Sequence, residues 1–250
     1  MALYRDRGVV LRTIKLGDSD RIVTVLTQGH GKVRAVAKGA RKSGSRFSAR
    51  LEPVAHLALQ LYEGRGDLDT VTQVETVDLH RSVREHYGAL TAALAMCEAT
   101  DLVLQEREPA PAVYDMLVRA LHTLAERPGP VLAPAYLWKL LCLEGFEPSL
   151  DRCVACGGDP DPTQRAEAFD AVLGGVLCPA CAGPLAMRPA AGAVLLLRAV
   201  LGGGLRQAME VPDGPAVRAL EALAVAAFEH HLDRRLRTGS ALAGLHGSSW

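Results

Sequence analysis

A chain of 250 residues, 49% of them apolar, can bury a sizeable core as about two domains or as one domain with insertions. Basic and acidic residues number 28 each, for a formal net charge of zero. The longest apolar stretch, 191–205, is interrupted by Arg198 and is too short for a membrane span, and the opening Met1-Ala2-Leu3-Tyr4-Arg5-Asp6 offers no apolar leader, so a soluble cytoplasmic protein is expected.

The neutral total hides a segregation of charge. Residues 1–50 carry twelve Lys/Arg against three acids, a local net charge of +9, and the rest of the chain carries −9. One end is thus suited to a polyanion and the remainder to other work.

Along the first 78 residues apolar positions alternate with period two. Strands are expected at 8–14, 20–27, 31–37, 51–62 and 68–77, with Gln28-Gly29-His30-Gly31 and Gly64-Arg65-Gly66 as turns. Five short strands with glycine-rich turns suit an OB-fold barrel, a fold that binds single strands on one face. Between strands three and four, residues 38–48 are basic and rich in Gly and Ser, which predicts a mobile loop. Gly39-x4-Gly44 is followed by Ser45-Arg46 and no helix pattern, so it is not a phosphate-binding P-loop.

From about residue 80 the period becomes helical. Helices are expected at 83–105, 112–126, 131–146, 189–205 and 215–236, punctuated by Pro109, Pro111, Pro128, Pro130, Pro148, Pro189 and Pro215. Few aromatics, 4%, leave Ala and Leu to carry this core, and Cys97 and Cys142 read as packing residues within it. Gly174-Gly175 inside 169–178 signals a hairpin, and the tail 239–250 is small, polar and expected to fray. The expected organisation is α+β: a barrel at 1–78, a helical domain at 79–149 and 185–238, a cysteine module at 150–184, and a flexible tail at 239–250.

Catalytic patterns are sparse. Eight scattered histidines form no His-x-x-x-His pair beside a Glu, and neither a Gly-x-Ser-x-Gly elbow nor a dinucleotide fingerprint occurs. The paired carboxylates Asp18/Asp20 and Asp67/Asp69 sit before strands, where Asp serves turn capping. His230-His231 falls late in a helix, where a solvated imidazole is the plain reading.

Two features carry more. Lys32 and Arg34 are two apart on one strand and share a face, Arg12 can join them from a neighbouring strand, and Lys15 follows toward the turn. Lys38, Arg41, Lys42 and Arg46 cluster on the loop, with Phe47 available to stack on a base. The second feature is the double knuckle Cys153-x-x-Cys156 and Cys178-x-x-Cys181, separated by 21 residues, one more than the usual upper limit. This is the pattern of a four-thiolate Zn2+ site, which leaves no open coordination position and is therefore structural. Disulfides would require an oxidising compartment, and a redox motif would need one pair rather than two.

Taken together, Arg7-Gly8-Val9-Val10-Leu11-Arg12-Thr13-Ile14-Lys15-Leu16-Gly17-Asp18-Ser19-Asp20-Arg21-Ile22-Val23, Gly29-His30-Gly31-Lys32-Val33, Ala37-Lys38-Gly39-Ala40-Arg41, the cysteine pairs and the closing 230–238 resemble the bacterial RecO family of recombination and repair proteins. The resemblance implies an OB-fold, a helical domain with an inserted zinc module, and a nucleoid-associated protein without enzymatic turnover. It implies binding of single- and double-stranded DNA, annealing of complementary strands, and partnership with RecR and the C-terminal tail of single-stranded DNA-binding protein. With RecR it implies loading of RecA onto coated strands. The rival readings are a zinc-ribbon nucleic-acid enzyme (glycosylase or nuclease) and an RNA-associated OB-fold protein.

Overall fold

The computed structural model describes residues 2–42, 44, 45, 47, 50–160 and 168–245. The chain divides into two compact units, Met1–Arg127 and Pro128–Trp250.

The first unit is built on a closed five-stranded barrel: β1 (Leu3–Leu16), β2 (Asp20–Thr27), β3 (Gly31–Ala37), β4 (His56–Tyr62) and β5 (Asp69–Asp78), in the order β1-β2-β3-β5-β4. This is the OB-fold order. β1 is long enough to pair with both β2 and β4, and a register shift between Val10 and Arg12 lets it bend from one partner to the other. Closure on the far side is slight, because β3 and β5 run parallel and pair only at Ala35↔Asp69 and Val36↔Thr70. Val10, Val25, Leu57, Leu59, Leu61 and Val71 fill the barrel. Val9 and Leu11 are buried as well, since α2 packs on β1 from outside.

Three helices complete this unit: α1 (Arg81–Glu85), α2 (Tyr87–Val103) and α3 (Pro111–Glu126). The single helix expected over 83–105 is broken at His86, which takes an extended conformation (φ −114°, ψ 120°) with neither Gly nor Pro to announce it. α2 is rich in alanine on its buried side (Ala89, Ala92, Ala93, Ala99), which permits a close approach to the barrel. α3 starts with Pro111 in the first turn and buries the stripe Val113, Leu117, Leu121 and Leu124. The fourth strand begins at His56 rather than at 51, because 51–54 form a turn in which Val54 has φ 75°.

The second unit packs α4 (Leu132–Leu143) and α5 (Ala193–Leu201) against α7 (Pro215–Leu232). The two-stranded hairpin β6 (Ala168–Asp170) and β7 (Gly175–Leu177) carries the cysteine module, and α6 (Leu205–Ala208) and α8 (Gly239–Ala243) are short. α5 starts four residues later than the proline signal, after Gly192 in the left-handed region (φ 88°), and α7 stops at Asp233 (φ 49°) rather than running to 236. Part of the expected frayed tail is helical as α8; residues 246–250 lie outside the described residues. Among the described residues no helix is long and apolar enough to cross a membrane.

Candidate nucleic-acid interface and metal module

Of the nine positions singled out in the basic N-terminal region, seven cations separate into two groups. Lys15, on the last turnward stretch of β1, is exposed, as are Lys38, Arg41 and Lys42 in the segment after β3. That segment is not a free loop. Its backbone is tied to the β1–β2 turn: Arg41 N donates to Ser19 O at 2.8 Å, and Gly39 N donates to Asp20 Oδ1 at 2.8 Å. Arg41 Nη1 reaches Gly17 O at 3.0 Å, and Ala40 is inserted fully into the barrel core. The Gly39 amide and then the Ser19 hydroxyl hold the Asp20 carboxyl below its ordinary range, with Lys38 and Lys42 adding positive potential. Lys15, Lys38, Arg41 and Lys42 make no ion pair among the described residues.

Phe47 does not join this surface. It is 7% exposed and belongs to the barrel's buried cluster with Ala40 and Leu51, so its ring plugs the barrel and cannot stack on a base in this conformation. Arg46 lies outside the described residues. Ile14 and Leu16, which flank Lys15 in β1, are both exposed. The alternation rule assigns them to a buried face, which is why the sequence alone passes over them.

The second group is neutralised from within. Arg12 Nε meets Asp101 Oδ2 at 2.5 Å, and Lys32 Nζ meets Asp101 O at 2.6 Å and Oδ1 at 3.2 Å. Arg34 Nη1 stands 3.5 Å from Glu106 Oε1. Lys32 is buried. The segment after α2 runs alongside β3, bridging Lys32 to Glu106 in parallel, with Arg107 N donating to Lys32 O at 2.8 Å. Gly31 makes this possible: φ is 68°, and a Cβ there would fall 1.9 Å from Glu108 O. The shared face of Lys32, Arg34 and Arg12 exists, yet its three charges face acids about seventy to ninety residues later in the chain. No local pattern signals such a pairing.

The four cysteines do converge. All four Sγ atoms lie within 4.8 Å of one another, and Cys156 Sγ and Cys178 Sγ are 3.8 Å apart. Four sulfurs at about 2.3 Å from one tetrahedral ion stand about 3.8 Å from each other. The first knuckle turns through Gly157 (φ 73°), with Gly157 N on Cys153 O and Cys153 N on Gly158 O, both 2.8 Å. The second follows β7, with Cys181 N on Cys178 O at 3.0 Å. Backbone N–H groups of Cys178, then Cys156 and Ala155, aim at the Cys153 sulfur and bring its thiol down to about 6. Cys181 is pushed up to about 12 by hydrogen bonds with the neighbouring thiols of Cys178, Cys156 and Cys153. One thiolate is welcome there; four are not unless a cation sits among them. The donor set and its spacing fit a structural metal held by Cys153, Cys156, Cys178 and Cys181.

The module is anchored to its own unit. Val154 N bonds Val176 O at 2.9 Å, Phe169 is fully buried with its ring edge-on to Trp138 of α4 at 5.9 Å, and Arg198 Nη2 of α5 donates to Leu150 O.

Residues 1–80 match the family model for the recombination protein O N terminal, and residues 84–239 match that for the recombination protein O C terminal. The chain belongs to the RecO family. The two matches cover nearly the whole chain in order, so the barrel with its helices and the cysteine-bearing unit are both RecO parts. As a RecO-family member it is a DNA-binding mediator of DNA repair and recombination.

Proposed function

We propose that the chain binds single- and double-stranded DNA across the barrel end formed by Lys15, Lys38, Arg41 and Lys42, and that it anneals complementary strands there without catalytic turnover. One observation carries this reading: these four cations are exposed and make no ion pair among the described residues, while Arg12, Lys32 and Arg34 are met by Asp101 and Glu106. Phosphates neutralised by a pinned loop release counterions, and lowered phosphate charge lets a second strand approach. Ile14 and Leu16, exposed on the same strand as Lys15, add apolar surface on which bases can rest. The same reading has the chain acting with RecR to load RecA onto strands coated by single-stranded DNA-binding protein, whose acidic C-terminal tail it engages. The resident ion is Zn2+, a dication that offsets two of the four thiolate charges and, with four sulfur ligands, has no open coordination position for chemistry.

The triple variant Lys38→Glu/Arg41→Glu/Lys42→Glu is expected to lose most single-strand affinity. Its plot of log affinity against log salt should flatten by about 2, near 0.7 for each phosphate no longer neutralised. Unchanged affinity and slope in a fluorescence anisotropy titration would remove this barrel end from the interface.

A further inference from the structure

A second polar groove lies on the barrel away from the β1–β2 turn. Arg5, Arg7, Gln28, Ala58, Gln60, Gln73 and Glu75 line an open cleft of about 420 Å³, within the range of about 300–1,000 Å³ usual for ligand clefts. Strand register explains it. Arg5 pairs with Gln60 and Gln60 with Gln73; one step along, Arg7 pairs with Ala58 and Ala58 with Glu75. Three strands thus present one row of a guanidinium and two carboxamides, and a second row of a guanidinium and a carboxylate separated by a methyl group. The small Ala58 is the floor.

The charges are available. Asp6 also touches the cleft, but its carboxylate already accepts from His30 Nδ1 at 2.6 Å, Gly29 N at 3.0 Å and Arg7 N at 2.8 Å. Arg7 and Glu75 make no side-chain ion pair among the described residues, and Arg5 Nε donates only to Gln60 Oε1 at 2.9 Å. Arg5 and Arg7 stand against Asp6 and Glu75, so the lining is formally neutral; its two guanidiniums are free of ion pairs among the described residues, while the Asp6 carboxylate is already taken up by the turn. Arg7 and Glu75 flank Ala58 at two strand spacings, about 10 Å. That is the kind of reach that separates a backbone phosphate from the far edge of its base. A guanidinium recognises the phosphate, a carboxylate accepts from an exocyclic amine of cytosine or adenine, and a carboxamide can serve either edge.

We infer that this β1–β4–β5 groove is a second single-stranded nucleic-acid subsite, which grips a phosphate with Arg5 and Arg7 and favours an amine-bearing base through Glu75. The inference rests on the proposed DNA-binding reading. It adds that one barrel holds two strand segments at once, one at each end of β1, as pairing of two strands requires.

Stoichiometry tests it. Native mass spectrometry of the full-length protein with an oligodeoxycytidylate of about four nucleotides, near the lower site size of an OB-fold, is expected to reveal two bound copies. Arg5→Gln/Arg7→Gln should bind one copy with the tighter affinity unchanged, and Glu75→Gln should bind two copies and lose the preference of the weaker site for cytidylate over thymidylate. The positions are exposed, so thermal melts of these variants should match the wild type. Lys38→Gln/Arg41→Gln/Lys42→Gln should also bind one copy, through the groove. A single copy on the wild type, unmoved by Arg5→Gln/Arg7→Gln, overturns the second subsite and leaves the loop reading standing. Two copies on the loop variant sink the loop reading instead. A groove that takes a mixed-charge peptide in preference to the oligonucleotide belongs to a protein partner, and overturns the proposal.

Discussion

Asp101 is the residue whose substitution separates binding from stability most sharply. Its carboxylate takes Arg12 at 2.5 Å and Lys32 at 3.2 Å. Arg12 remains 44% exposed, whereas Lys32 is buried. Asp101→Asn should free the Arg12 guanidinium for phosphate and tighten single-strand binding several-fold. It should also leave the buried Lys32 ammonium short of a counter-charge, at a cost of about 1–3 kcal/mol. Anisotropy and urea melts on one preparation read the two effects, and looser binding together with unchanged stability would contradict this account. The basic residues themselves were readable from the sequence; their availability was not. Lys32 and Arg34 share a face as period-two spacing dictates, but what meets that face comes from positions 101 and 106. Phe47 shows the same limit: beside a basic loop an aromatic reads as a base-stacking platform, and here it closes the end of the barrel.

Among the elements, the hairpin β6–β7 with its two knuckles depends most on a ligand. It has three residues per strand and a small satellite cluster of Cys153, Ala168 and Leu177. Two strands of that size are marginal alone, so folding of the module is tied to metal binding. Cys153→Ser or Cys178→Ser should abolish stoichiometric zinc by elemental analysis and raise hydrogen exchange across 168–182, while leaving exchange in the barrel strands and single-strand affinity nearly unchanged. Equal disruption of β1–β5 would show that the metal supports more than its own module. The knuckle spacing and the Gly174-Gly175 turn made this element legible. The break at His86 was not, because the apolar period passes through it and no residue type there forbids a helix. Strand limits were legible where glycine marks a turn, as at Gly31, and illegible where β1 extends back to Leu3 through the alternating but polar Arg5, Asp6 and Arg7.

For the whole molecule, acid should act oppositely on the two units. In the first, His56 and His80 are buried, and burial lowers the pKa of each; His56 also accepts or donates at Tyr114 Oη, 2.9 Å away. Both are held neutral in the fold and regain protons on unfolding. Stability of this unit is therefore complete above about pH 6.5, and falls on acidification by up to about 1.4 kcal/mol per pH unit for each histidine. In the second unit Glu221 of α7 is buried, and burial, then Asp213, raises its carboxyl to about 7. Its neutral form suits the fold, so that contribution is full below about pH 4.5 and is lost as pH rises through 7. Trp138 sits on α4 of the second unit, residues 1–127 contain no tryptophan, and Trp250 lies outside the described residues. Tryptophan fluorescence melts should therefore gain stability between pH 7 and pH 5, while the protection factors of the barrel amides, corrected for the intrinsic slowing of exchange in acid, fall below about pH 6.5. Glu221→Gln should flatten the fluorescence trend; a trend that survives it would assign the effect elsewhere. The two-part character of the chain was foreshadowed by its change from period two to helical period near residue 80. That three helices group with the barrel was not, since the grouping follows from the packing of α2 and α3 on β1.

The thin seam between β3 and β5 has one more consequence. With only two paired positions there, the first half of β3 would present bare amides and carbonyls along an open border. Such a border is a template on which a foreign chain can add as an extra strand and seed oligomers. Residues 104–108 lie along it as a built-in selvedge, held by the Lys32–Glu106 bridge and the Arg107 amide. Any side chain at position 31 would push that strip away from Gly31. The harm from such a change would then surface first as self-association under concentration or heat, before any loss of grip on DNA.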